Sequence, residues 1–188
     1  LEVSAFDEGG RQLALSGAIR PDGHVDPDAH FYKALMVDRH GQAIHQRNAQ
    51  DIVAPVYVRV IGPGTADAAH FRFRLPQAYS GASVTFKARL RWRKFDQAYT
   101  EFAYRSNPQA FRAFDQVPQL PDTTIAQSEV TLPVGAPEGK AEVPKPEDWV
   151  RFNDYGIGLL LQEDTQDALK AFEQVAALAP QRLDGPRN

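Results

Sequence analysis

Between Phe86 and Arg93 apolar and basic side chains alternate without a break. Phe86, Ala88, Leu90 and Trp92 share one parity; Lys87, Arg89, Arg91 and Arg93 share the other. A strand repeats its side chains every two residues, so this run predicts one buried and one solvated face. Antiparallel sheets make faces of that kind. Weaker runs of the same type flank it. Residues 1–17 predict a hairpin turning at Glu8-Gly9-Gly10-Arg11, with Leu13 and Leu15 alternating beyond the turn. Phe31 to Asp38 carries apolar groups at both parities, which predicts a strand buried on both faces. Val56, Val58 and Val60 alternate until Gly62-Pro63-Gly64 stops them, and Phe71, Phe73 and Leu75 alternate with Arg72 and Arg74. Thr124 to Val134 predicts one more strand. Short strands separated by Gly/Pro turns favour an antiparallel β-sandwich, immunoglobulin-like, over residues 1–134. Phe95, Tyr99, Phe102 and Ala103 interrupt it with helical spacing, giving a short helix near 95–105.

The period changes for good at Trp149. A stretch holding Pro137, Pro144 and Pro146 precedes it, so residues 135–147 read as a semi-stiff linker. Ala168, Phe172, Val175, Ala176 and Ala179 then form an apolar stripe. Glu163-Asp164-Thr165 separates two helices, with Asp164 or Thr165 placed to cap the second, and Pro180 closes it. Over residues 148–182 this spacing resembles the tetratricopeptide repeat, about 34 residues long. Its signature slots hold Phe152, Tyr155, Gly156, Leu159, Ala168, Phe172 and Pro180. Gly156 and Ala168 let the helices approach, and Phe152 and Phe172 fill the seam. Tyr155 replaces leucine, Leu159 replaces tyrosine and Val175 replaces a second alanine, all apolar exchanges. A single such hairpin does not bury its own apolar face; about three are usually needed. Residues 183–188 read as the truncated start of a further repeat. Leu1-Glu2-Val3-Ser4-Ala5 already alternates like a strand interior, so the sequence reads as a piece of something longer.

Composition narrows the chemistry. The net charge of −3 predicts neither nucleic-acid nor membrane binding. No stretch approaches the roughly 18 apolar residues of a membrane span. With no cysteine, the chain has no disulfide, thiolate metal site, cysteine nucleophile or covalent haem attachment of its own. No serine lies in a Gly-x-Ser-x-Gly elbow, and no glycine loop is built for phosphate, so the expectation is a non-catalytic chain.

Two clusters offer binding chemistry. In the loop 22–30, Asp22, Asp26 and Asp28 supply hard oxygen ligands for a cation, with His24 and His30 beside them. A metal held there would allow hydrolytic chemistry. The bland alternative is a turn in which the carboxylates accept from backbone amides. The second cluster is basic: Arg59, Arg72, Arg74, Lys87, Arg89, Arg91 and Arg93 all fall on the polar parity of their predicted strands. On neighbouring strands they would form a positive face for an acidic protein partner; the alternative is a solvated face balanced by nearby acids. Exposed aromatics do not interleave with it, which argues against nucleic acid. Trp92, Tyr99 and Tyr104 would line a cleft if the chain were instead a stand-alone carbohydrate- or peptide-binding sandwich.

Several segments together resemble a bacterial family of multihaem c-type cytochromes with C-terminal tetratricopeptide repeats. They are Val25-Asp26-Pro27-Asp28-Ala29-His30, Arg47-Asn48 with Asp51-Ile52, Ile61-Gly62-Pro63-Gly64, Arg89 to Phe95, and Asn153 to Gln162. The resemblance implies an accessory and protein-interaction region of a periplasmic electron-transfer protein. Its haem c would lie upstream of Leu1, with none in this chain. It also offers His24 or His30 as an axial ligand to a neighbouring haem, and the basic face as a seat for haem propionates.

Overall fold

In the computed structural model, residues 1–106, 116–135 and 143–187 are described. The chain forms two compact units. One comprises Leu1–Val60 and Phe73–Pro137; the other comprises Ile61–Arg72 and Glu138–Asn188. Residues 61–72 interrupt the sheet-forming sequence yet belong with the helices.

The first unit is built on antiparallel strands, as the alternation predicts. β1 (Glu2–Phe6), β2 (Gln12–Ser16), β5 (Ser83–Trp92) and β6 (Thr123–Pro133) form a sheet in the order β2-β1-β5-β6. β3 (Lys33–Val37) and β4 (Ala54–Arg59) form a separate two-stranded sheet. In the larger sheet Val3 pairs with Ala88 and Ala5 with Phe86. Val3, Ala5 and Val84 are buried, and the Phe73 ring packs 5.8 Å from that of Phe86. The helix α1 (Gln97–Arg105) starts where Asp96 accepts a 2.7 Å hydrogen bond from the Tyr99 amide.

Three expectations change. No strand forms at 71–75, because residues through Arg72 go to the helical unit. β3 is not buried on both faces: Lys33 and Ala34 are exposed and its other residues half-buried. Of the linker, residues 136–142 lie outside the described residues; Pro146–Asp148 form a 3-10 turn leading into the helices.

The second face of the large sheet holds a buried carboxylate. Glu2 lies opposite Arg89 in the β1–β5 register and receives both Arg89 and Arg91. The Arg89 Nε–Glu2 Oε1 distance is 3.0 Å and the Arg91 Nη1–Glu2 Oε2 distance 2.6 Å. Arg91 also donates to Asp122 at 2.5 Å. Burial pushes the Glu2 carboxyl up, but the hydrogen bonds and charges of Arg89 and Arg91 together hold it below its ordinary value. Arg91 lowers Asp122 likewise.

In the second unit α2 (Trp149–Leu160) and α3 (Thr165–Leu178) form a hairpin, followed by a single helical turn, α4 (Asp184–Arg187). Asp164 caps α3 by accepting from the Asp167 amide. The core is Leu159, Ala168, Phe172 and Val175, with Ala68 contributed by residues 61–72. A side chain at Gly156 would sit 2.7 Å from the Phe172 ring, so only glycine lets α2 and α3 close there. The Arg182 guanidinium covers Trp149, 3.9 Å from its ring.

A depressed folded-state pKa stabilises at pH above the unfolded value, and the contribution is lost as pH falls through the folded one. Stability should therefore drop once pH passes below the ordinary values of 4.5 for Glu2 and 3.8 for Asp122. Glu2→Gln should cost about 1–3 kcal/mol at pH 7 and flatten that acid limb. Thermal melts of both proteins from pH 7 to pH 3 check this; parallel profiles would contradict it.

Candidate interaction surface

An α-helix turns 100° per residue, so Leu160 lies roughly 200° from Gly158 on α2, and Gln162 follows in the turn after the helix. The two flanks meet different fates.

The Gly158 flank is covered. A Cβ at Gly158 would stand 3.3 Å from backbone atoms of Ala66, Asp67 and Ala68. The Gln162 side-chain amide donates to the Ala68 carbonyl at 2.8 Å and to Asp67 Oδ1 at 3.1 Å. Residues 66–68 have no regular secondary structure, and this amide satisfies a backbone acceptor that a neighbouring strand would otherwise serve. Thr65 closes the turn before them, donating through its hydroxyl to the Gly62 carbonyl at 2.8 Å.

The other flank is open. A groove of about 640 Å³ runs along Leu160, Ala168, Leu169, Phe172 and Ala176 as far as Gly185 of α4. Leu160 and Leu169 are 43% and 59% exposed on it. α4 comes close at one end: a Cβ on Gly185 would lie 2.9 Å from the Ala176 nitrogen and 3.1 Å from the Phe172 carbonyl oxygen. Lys170 pairs with Asp167 at 2.7 Å on the exposed side of α3.

Of the repeat signature, Gly156, Leu159, Ala168 and Phe172 meet in the core, with Phe152 packed against it. Tyr155 is exposed instead, and Pro180 follows the end of α3.

The other candidate clusters take different forms from those expected. In the loop 22–30, Asp22 accepts from the His24 amide at 3.0 Å and Asp26 from the Asp28 amide at 3.1 Å. These are turn-stabilising bonds. Among the described residues no three His, Asp or Glu side chains group to hold a metal ion. His24 Nε2 lies 3.2 Å from Glu101 of α1, and His30 packs edge-on to Tyr32.

The seven basic residues do not fall on one sheet. Arg59 is on β4 in the smaller sheet, Arg72 belongs to the helical unit, and Arg74 lies outside any strand. The β5 residues are matched by acids: Lys87 by Glu129 at 2.9 Å, Arg89 by Glu2, and Arg91 by Glu2 and Asp122. Arg93 donates to the Gly23 carbonyl at 2.8 Å. The parity was correct, but facing carboxylates neutralise the strand. Of the aromatics, Trp92 is exposed, whereas Tyr99 packs between Phe95 and Phe102.

The alternation and helical periods did not single out Gly158, Gln162 or Ala68. The available signal was a second glycine two residues after Gly156, inside a helix where glycine is costly. No family model, curated protein or solved structure matches this chain.

Gly158→Val should press its side chain into the backbone of residues 66–68 and cost about 1–3 kcal/mol. Gln162→Leu should leave the Ala68 carbonyl unpaired, at about 1–2 kcal/mol. Urea titrations followed by helical circular dichroism measure both; midpoints equal to that of the unaltered chain would contradict the contact.

Proposed function

We propose that this chain is a non-catalytic interaction region whose tetratricopeptide-type hairpin presents one apolar flank to a further helical element. The carrying observation is the open groove over Leu160, Leu169 and Ala176, with α4 at one end of it. Water-exposed leucines that line a groove gain about 25 cal/mol for each Å² that a partner helix covers. The spacing from Phe152 to Pro180 supports the tetratricopeptide reading. The antiparallel strands of the first unit support its place in an immunoglobulin-like sandwich.

The multihaem-cytochrome resemblance extends the proposal to the parent protein: a periplasmic electron-transfer protein with haem c held upstream, this region serving as scaffold and docking end. Covalent haem attachment needs cysteine, and this chain has none. Among the described residues no helix is long and apolar enough to cross a membrane.

Two measurements test the two parts. In the full-length gene product, matured where c-type haem is attached, an intense Soret band should survive acid–acetone extraction; a colourless protein would overturn the cytochrome part. Hydrogen exchange tests the groove. Amides of α3 should exchange at least tenfold more slowly in the full-length product than in residues 1–188, a factor worth about 1.4 kcal/mol. Equal rates would remove the helical-docking part.

A further inference from the structure

β6 is the outer strand of the four-stranded sheet, hydrogen-bonded to β5 on one side. Among the described residues no strand lies on its other side. All eleven of its residues are exposed, Val130 and Leu132 to 51% and 47%. Natural sheets blunt such edges with short strands, lysines, bulges, central prolines or a covering element. The opposite edge does so: β2 has five residues, and its register with β1 shifts at Ala5/Phe6. β6 has no lysine or arginine. Its one charge, Glu129, is drawn to Lys87 on the neighbouring strand, and its proline stands at the very end. The one irregularity is toward its start, where the register against β5 shifts at Leu90/Arg91.

The outward backbone groups follow from one bond. The Val134 amide donates to the Ala82 carbonyl at 2.8 Å, on the β5 side. N–H directions alternate along a strand. Leu132, Val130 and Ser128 therefore point their amides toward β5, while Thr131, Glu129 and Gln127 point theirs away. Pro133, which has no amide hydrogen, falls on the outward parity, where the existing ladder loses nothing.

We propose that β6 pairs with β6 of a second copy of this chain, antiparallel about a two-fold axis at Ser128, so that the two sheets become continuous. Ser128 is the midpoint of Thr123–Pro133, so this register overlaps the whole strand. It sets Gln127 of one copy against Glu129 of the other, an amide donor facing a carboxylate, and these are residues whose backbone groups face outward. Ala126 of one copy meets Val130 of the other on the face where Ala5 and Val84 are buried. A two-fold axis at Glu129 would instead bring two carboxylates to about 5.5 Å between Cα atoms, where like charges oppose pairing. The strand is thus complementary to itself in the register centred on Ser128. This surface is independent of the helical groove.

The test uses the full 188-residue chain. Light scattering should give twice the 20.9 kDa chain mass. At the axis the two Ser128 residues form a non-hydrogen-bonded pair with Cα atoms about 4.5 Å apart, within disulfide range. Ser128→Cys should cross-link on mild oxidation. Thr131→Cys should not, because its two copies sit six positions apart along the strands, about 20 Å. Ser128→Lys should weaken the dimer at least tenfold, and mixing it with Ser128→Glu chains should restore a dimer. Ser128 is exposed in the single chain, so these variants should keep the far-ultraviolet circular dichroism of the unaltered chain. A monomeric chain, equal cross-linking at positions 128 and 131, or a Lys/Glu mixture that stays monomeric would overturn the proposal.

Discussion

Two helices of 12 and 14 residues bury little by themselves, and the second unit holds together because backbones come closer than side chains permit. Gly156 lets the Phe172 ring reach α2, and Gly158, two residues on, lets residues 66–68 lie against another flank of the helix. Leu159, the residue after Gly158, is fully buried, with Val175 in the same core. A Cβ at Gly156 would stand 2.7 Å from the Phe172 ring, and one at Gly158 would crowd the backbone of residues 66–68 at 3.3 Å. What looks like two costly helix breakers is the condition for the hairpin to have an interior.

The sheet unit solves a different problem. β1 and β5 place apolar groups on one face, where Val3, Ala5 and Val84 are buried. The other face would carry three cations on β5 alone. Glu2 and Asp122 supply the opposing charge from β1 and from the residue preceding β6. A buried carboxylate is tolerated here because two guanidiniums meet it, with hydrogen bonds to both oxygens. The same pairing offsets the positive charge that would have drawn an acidic partner.

Local periodicity was legible and long-range use was not. The alternation from Phe86 to Arg93 located β5, and the spacing of Ala168, Phe172 and Val175 located α3 with its buried face. Phe71 and Phe73 alternate as well as any pair in the chain, yet no strand forms there, because residues as far as Arg72 are recruited by the helices. The seven basic residues had the right parity on β5, but parity carries no information about which carboxylates a distant strand brings opposite. Asp22 and Asp26 had ligand chemistry, and adjacent backbone amides took it. In each case the deciding partner lay where a window of ten residues does not reach, or was a backbone group that composition does not display.

The cover over Gly158 also fixes an order of events in time. Ala68 and Gln162 are 94 residues apart in sequence. At bacterial and eukaryotic synthesis rates of about 5–20 residues per second, residues 66–68 wait roughly 5–20 seconds before their helix exists. During that interval their carbonyls face water and the strands on either side of them are free to pair. The helical hairpin, by contrast, meets its cover already made. A later part of the chain is therefore finished by an earlier one, and α2 and α3 complete their core against a segment made 94 residues before the side chain that holds it.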